Sequence, residues 1–191
     1  MSKEVIKGGF PLRGEFTPPG DKSISHRAII IGSLAKGTTH IKGFLLSDDT
    51  LSSANAMGML GIPIEIQDGN VEIKGKGLFG LSEPGDFIDA GNSGTTARLL
   101  IGLLSAQRFF SAITGDKYLR VRPMDRVVKP LTMMGGKIWG RDEGKRLPIA
   151  IQGAKLSAIK YQSPVSSAQV KSAILLAGLY AEGETEVIEP V

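Results

Sequence analysis

Three stretches of this chain open in the same way. Asp21-Lys22-Ser23-Ile24-Ser25-His26-Arg27 precedes the apolar run 28–35, Gly91-Asn92-Ser93-Gly94-Thr95-Thr96-Ala97-Arg98 precedes the run 99–106, and Pro164-Val165-Ser166-Ser167-Ala168-Gln169-Val170-Lys171 precedes the run 173–181. Arg27, Arg98 and Lys171 hold the same place in each, 71 and 73 residues apart. Recurrence at a fixed period marks an internal repeat, and a period near seventy leaves room for several elements per unit. The fold must therefore give three helix starts equivalent surroundings.

The elements around each start follow one order when short β-branched or alternating runs are read as strands and capped periodic runs as helices. The first unit reads as helix 23–35, strand 38–42, helix 48–60 and strands 62–67 and 71–74, the last pair joined by Asp68-Gly69-Asn70, a strong hairpin signal. The second reads as strand 87–89, helix 95–106, strand 109–114, helix 124–134 and strands 137–139 and 147–151, with a polar turn over 140–145. The third reads as strand 158–161, helix 167–181 and strand 185–188. With a strand taken to precede the first helix, the pattern is βαβαββ, βαβαββ and βαβ, so the third unit reads as cut, and an opening strand at Val5–Lys7 belongs to no unit. The first helix of each unit is apolar nearly all round, which predicts buried helices covered by strands. The expected fold class is therefore α/β, with repeated βαβαββ units around buried parallel helices.

Composition narrows the chemistry. The chain has no cysteine and two histidines, His26 and His40, which excludes disulfides, thiolate metal sites, a cysteine nucleophile and a histidine-built metal cage. No metal site is expected. Apolar runs reach about half the ~20 residues needed to cross a bilayer, and residues 1–10 read as neither a signal nor a transit peptide. A cytoplasmic, membrane-free protein is expected. The net charge of +4 is scattered and aromatic residues are few, so a nucleic-acid partner is not expected and small anions fit better.

Each helix start offers a Ser, Thr or Gly at the cap, free first-turn N–H groups, the positive end of the helix dipole and one basic side chain, a combination that binds phosphate or carboxylate. If the units pack around a pseudo-threefold axis, all three starts face one mouth and their potentials add. Gly91 and Gly94 flank the second start, where a missing Cβ lets a ligand reach the backbone. Arg120 and Arg122 lie on a loop just before a helix, placed for bidentate contact with an anion. His26 and His40 read as structural, Asp48-Asp49 as a helix start rather than a metal pair, and Trp139, Met57, Met59, Met133 and Met134 as core.

At these residues the chain resembles the enolpyruvyl transferases, and among them the branch that acts on shikimate-3-phosphate. The motifs are Gly20-Asp21-Lys22-Ser23-Ile24-Ser25-His26-Arg27, Gly91-Asn92-Ser93-Gly94-Thr95-Thr96-Ala97-Arg98, Arg120-Val121-Arg122-Pro123-Met124 and Ser166-Ser167-Ala168-Gln169, in family order. The resemblance implies two domains of three βαβαββ units each, with the active site in the cleft between them. This chain then corresponds to most of the first domain: residues 1–12 supply a strand that joins the second domain, and residues 13–191 form units 13–77, 78–153 and an incomplete 154–191.

The implied reaction moves the enolpyruvyl group of phosphoenolpyruvate to the 5-hydroxyl of shikimate-3-phosphate and releases phosphate, with no cofactor. By the same resemblance Lys22 is catalytic and touches both substrates, while Ser23, Arg27 and Ser167 hold shikimate-3-phosphate. Gln169 lies against both ligands. Gly94 and Arg122 bind phosphoenolpyruvate, and Asn92, Thr95 and Arg98 support them. Leu99 and Ala168 replace a Pro and a Ser found in many members, which with Gln169-Val170-Lys171 resembles the subgroup less sensitive to glyphosate. The family's remaining acid–base groups lie mostly in the C-terminal domain, so this chain is expected to turn over negligibly by itself. It is expected to act as one half of an enzyme, or else as a shikimate-3-phosphate-binding module. The sister transferase acting on UDP-N-acetylglucosamine typically uses a loop cysteine and lacks the Ser-His-Arg run, so it fits less well.

Overall fold

A computed structural model describes residues 4, 5, 7–9, 11 and 13–190. Its elements run α1 (Lys22–Leu34), β1 (Lys36–Ile41), α2 (Asp48–Met59), β2 (Ile64–Gln67), β3 (Asn70–Lys76), β4 (Ile88–Asp89), α3 (Gly94–Ser105), β5 (Phe110–Thr114), α4 (Asp125–Met133), β6 (Lys137–Gly140), a single turn α5 (Arg141–Gly144), β7 (Arg146–Gln152), β8 (Lys160–Gln162), α6 (Ala168–Gly178) and β9 (Glu186–Ile188). A 3-10 turn, Leu119–Val121, lies between β5 and α4. Among the described residues no helix is long and apolar enough to cross a membrane.

The repeat is visible in the sheets. The second unit forms a four-stranded sheet, β4-β5-β7-β6, in which β4 and β5 are parallel and the other pairs antiparallel. The first unit's β1-β3-β2 copies the β5-β7-β6 part with the same antiparallel pairing. The third unit's parallel pair β8-β9 copies β4-β5. Turn chemistry sets the register of the first hairpin: Asp68 and Gly69 both take positive φ, 49° and 76°, the primed geometry that matches strand twist. The polar turn over 140–145 is α5, where Asp142 and Glu143 are left-handed rather than helical.

One expected strand is absent. No strand precedes α1 over residues 13–21, where Pro18 and Pro19 remove donors a ladder needs. Val5 and Lys7 carry no regular structure, and Ile6 lies outside the described residues.

The core is built around α3. All of its residues except Thr95 and Arg98 are buried, and it packs against α6, α4, α2 and β7. Its approach to α6 is set at Gly102, where a Cβ would stand 2.2 Å from the Ala173 carbonyl oxygen. The expectation that all three first helices are enclosed holds for α3 alone. On α1, Ile24 and Ile31 are exposed, and at α6 Leu175 and Leu179 are, because no element covers that side of either helix among the described residues. Met57 and Met134 are core as expected, but Met59, Met133 (63% exposed) and Trp139 (57%) are not. Trp139 sits on the edge strand β6 with its side chain on the open face, and the two methionines close the outer ends of α2 and α4.

Candidate functional site

The three starts are cross-linked start to start. Arg27 Nη2 donates to Ser172 Oγ at 2.8 Å and to the Ala168 carbonyl at 3.5 Å, joining α1 to α6. Gln169 Nε2 donates to Thr95 Oγ1 at 2.9 Å, and Arg98 Nη1 donates to Gln169 Oε1 at 2.8 Å, joining α6 to α3. Lys22 pairs with Asp49 in the first turn of α2. Lys22, Ser23, Arg27, Gly94, Thr95, Arg98, Ser167 and Gln169 therefore occupy one end of the helix layer.

Local sequence explains each start. Ser93 caps α3 by accepting from the Thr96 N–H at 3.1 Å, and Ser167 caps α6 by accepting from the Val170 N–H at 3.4 Å. The α1 cap differs from expectation: it is Asp21, whose carboxylate accepts from the Ile24 N–H at 2.7 Å, while Ser23 lies inside the helix with an exposed side chain. Asp precedes the first helical residue and its side chain reaches N3, which Ser23 cannot do from a helical position.

Arg122 is delivered by the loop between β5 and α4. Its Nη2 donates to Asn92 Oδ1 and its Nη1 to the Asn92 carbonyl at 3.3 Å. Asn92 is oriented in turn by Asp116, whose Oδ2 accepts from Asn92 Nδ2 at 2.7 Å. The other Asp116 oxygen accepts from the N–H groups of Leu119 at 2.7 Å and Tyr118 at 3.0 Å, which folds the 3-10 turn ahead of Arg122. The Leu119 hydrogen bond foremost, then those from Asn92 and Tyr118, hold the Asp116 carboxyl below the usual carboxylate range. Arg120 donates to the Asp116 carbonyl at 3.4 Å, so of the two loop arginines Arg122 is the one that stands over the α3 start. Alternate residues of a tight 3-10 turn face different directions.

The cations fall into two sets. Lys22 and Lys171 are neutralised by carboxylates, Asp49 and Glu189. Their hydrogen bond lets Lys171 pull Glu189 below its ordinary pKa. Arg27, Arg98 and Arg122 are held by neutral acceptors: Ser172, Gln169, Asn92 and main-chain carbonyls, including Pro123 at 2.8 Å from Arg98 Nη2. Burial, and then the charges of Arg122 and Arg126, push the Arg98 guanidinium below its ordinary pKa. A group so placed gains from an arriving anion, since its hydrogen bonds are already formed and, among the described residues, no carboxylate is paired with it. A built Cβ on Gly94 would lie 2.6 Å from Arg98 Nη1 and 3.5 Å from Arg122 Nη1, so both guanidinium groups stand over the α3 start.

Sequence reasoning missed the groups that hold these cations. Asp49, Asp116 and Glu189 each act on a partner 18 to 27 residues away, apart from Asp116's own turn. The Asp116-x-Tyr118-Leu119 turn is the one signal that local sequence carried. His26 is structural as expected, and its partner is Ser53, with Nδ1 2.7 Å from Oγ. His40 stands 3.7 Å from Glu72, its cross-strand neighbour on β3.

Comparison with known proteins identifies the family and the fold. A family model described as EPSP synthase (3-phosphoshikimate 1-carboxyvinyltransferase) matches residues 6–191. A 3-phosphoshikimate 1-carboxyvinyltransferase of Geotalea daltonii is 59% identical over 190 residues, covering all of this chain and 44% of that protein. One from Thermodesulfovibrio yellowstonii is 56% identical over 187 residues, 97% of this chain and 44% of its own. The structure of EPSP synthase from Acinetobacter baumannii superposes with a TM-score of 0.91 at 51% identity, over 93% of this chain and 41% of that one. The chain thus spans less than half the length of the relatives it matches.

Proposed function

The chain belongs to the EPSP synthase family, and from that premise we propose that it supplies one half of the active site that transfers the enolpyruvyl group of phosphoenolpyruvate to the 5-hydroxyl of shikimate-3-phosphate, releasing phosphate. The observation that carries the reading is the cross-linking of three helix starts, with Lys22, Arg27, Arg98 and Arg122 at the same end. Two highly anionic substrates repel each other, and the chief task of this half is to hold their phosphates and carboxylate together. Preorganised N–H groups and guanidinium groups do so without reorganising during the reaction.

In this reading Ser23, Arg27 and Ser167 take shikimate-3-phosphate, with the Ser167 hydroxyl at its phosphate. Gly94, through its N–H, and Arg122 take phosphoenolpyruvate. Gln169 lies against both, while Asn92, Thr95 and Arg98 support. Lys22 is the catalytic cation of this half: an arriving anion replaces Asp49 as its partner and places the ammonium beside both ligands. The proton transfers to the vinyl carbon and from the 5-hydroxyl fall mostly to groups of a C-terminal domain, with which this half works. In the same reading the protein acts in the cytoplasm, and Leu99 and Ala168, with Gln169-Val170-Lys171, support a lower sensitivity to glyphosate.

Titration with shikimate-3-phosphate followed by backbone amide NMR tests the assignment. Saturable shifts centred on Lys22, Ser23, Arg27, Ser167 and Gln169 are expected, with no phosphate release from phosphoenolpyruvate until a C-terminal domain is added. Shifts centred elsewhere would overturn the site, and turnover by the pure chain would overturn the division of labour.

A further inference from the structure

We propose that His26 is a positioning residue for the α3 helix start: through Ser53 and Thr96 it fixes the Ser93 cap and the backbone amides that begin at Gly94. The role matters to catalysis because it rests on the reading of that start as the phosphoenolpyruvate-binding end.

His26 sits one turn after Lys22 on α1 and is fully buried. Its Nδ1 lies 2.7 Å from Ser53 Oγ on α2, Ser53 Oγ lies 2.8 Å from Thr96 Oγ1 on α3, and Thr96 Oγ1 donates to Ser93 Oγ at 2.8 Å. Ser53, Thr96 and Ser93 are all 1% exposed or less. Lys22–Asp49 and His26–Ser53 are thus two successive rungs between α1 and α2, the outer one ionic and solvated, the inner one neutral and buried. The inner rung continues to α3 through side-chain hydroxyls, whereas the outer reaches it only through the Asp49 carbonyl at 3.3 Å from Thr96 Oγ1.

The unpartnered atom sets the direction of this chain. His26 Nε2 is buried with no hydrogen-bond partner among the described residues. An orphaned N–H donor there costs more than an orphaned ring lone pair, so the proton belongs on Nδ1, which donates to Ser53. Ser53 then donates to Thr96, and the single Thr96 hydroxyl hydrogen goes to Ser93 at 2.8 Å rather than to the Asp49 carbonyl at 3.3 Å. Ser93 Oγ accepts twice, from the Thr96 hydroxyl and the Thr96 N–H. With the opposite tautomer Ser53 donates to the ring and Thr96 must spend its one hydroxyl hydrogen on Ser53, which removes its bond to Ser93. Burial keeps the ring neutral, as the arrangement requires.

The test is ligand-free NMR on this chain. Nitrogen shifts of His26 should show Nδ1 protonated and Nε2 bare at neutral pH. His26→Leu, which has no donor, should move the Gly94, Thr95 and Thr96 amide signals and raise Thr96 amide exchange about tenfold. His26→Asn, whose side-chain N–H can stand where Nδ1 stood, should restore both. If His26→Leu does not fold, Ser53→Ala interrupts the same chain and should produce the same amide changes while altering the His26 ring shifts. A protonated Nε2, unmoved Gly94–Thr96 amides in a folded variant, or failure of Asn to rescue would each overturn the proposal. Phosphoenolpyruvate titration is the second arm: weaker binding by the Leu variant, restored by Asn, supports the positioning role. No phosphoenolpyruvate shift in the unsubstituted chain would count against the ligand reading instead, leaving the ligand-free result to decide the positioning role.

Discussion

Helices α3 and α1 begin with the same kind of motif and continue with equally apolar runs, yet α3 is enclosed and α1 is not. The seam between α1 and α3 is covered by α2, and that between α3 and α6 by α4. The remaining seam, between α6 and α1, is an open groove of about 320 Å³ lined by Ile30, Ile31, Leu99, Leu175, Leu176 and Leu179. An apolar helix surface states that something must cover it, but which side is covered depends on elements distant in sequence. The three repeats thus carry equal local instructions and unequal surroundings.

The largest expected effect of that inequality is on stability. Leu100, fully buried on α3, should cost about 2–5 kcal/mol when changed to Ala. Leu175, 45% exposed on α6, should cost about 1 kcal/mol or less for the same change. Urea unfolding of the two variants checks this, and equal losses would show that the groove is filled in solution.

A second contrast lies between the two faces of α1 itself. Its buried face carries His26, whose pKa burial lowers from 6.5 to about 4, with Lys22 and Arg27 adding to the shift and Asp49 opposing it. The unfolded chain takes up a proton at this site before the folded one does. The stabilisation is therefore complete above about 6.5 and is lost as pH falls towards 4, an interval corresponding to roughly 3 kcal/mol. Carboxylates titrate nearby, so the measurement is the pH dependence of unfolding free energy in the parent chain minus that in His26→Asn. A difference that stays flat from pH 7 to 4 would mean the ring is solvated.

Element order was readable because period 2 and period 3.6 are local properties, and the Asp68-Gly69 turn because positive φ at two successive positions has few chemical solutions. Which residues close the site was only half readable. The motifs placed Arg27, Arg98 and Gln169 at helix starts, but nothing local says that Gln169 bridges Arg98 and Thr95, or that Asp49 and Glu189 occupy the two lysines. Such partners are chosen by packing across the repeat. Exposure of Met133 and Trp139 was illegible for the same reason: an edge strand and a helix end look like core in sequence until their neighbours are known.

At the α3–α6 contact, Gly102→Ala sharpens the comparison of covered and open seams. The substitution improves helix propensity by about 1 kcal/mol, but its Cβ would meet the Ala173 backbone at 2.2 Å, and backbone cannot swing aside. A net loss of about 1–3 kcal/mol is expected. Placing the same substitution at Gly58 on α2, where a Cβ meets nothing within 4 Å, should stabilise instead. Opposite signs in thermal unfolding confirm that the α3–α6 seam is set by backbone approach.

Gly94→Ala tests the mouth rather than the core, and its effect on stability should be the smallest. The added methyl meets the end of the Arg98 side chain, which can move, so unfolding should change by no more than about 0.5 kcal/mol. Movement has a price at the site, however, because Arg98 Nη1 is the donor that holds Gln169, and Gln169 in turn holds Thr95. Displacing it loosens the α6–α3 link and intrudes where Gly94 offers its N–H. Phosphoenolpyruvate binding in the presence of shikimate-3-phosphate should weaken about tenfold, the loss of one charge-assisted hydrogen bond, while the shikimate-3-phosphate shifts at Ser23 and Arg27 persist. Equal weakening of both ligands would instead mean that the three starts respond as one rigid unit, and that Arg27–Ser172 depends on the α3–α6 link.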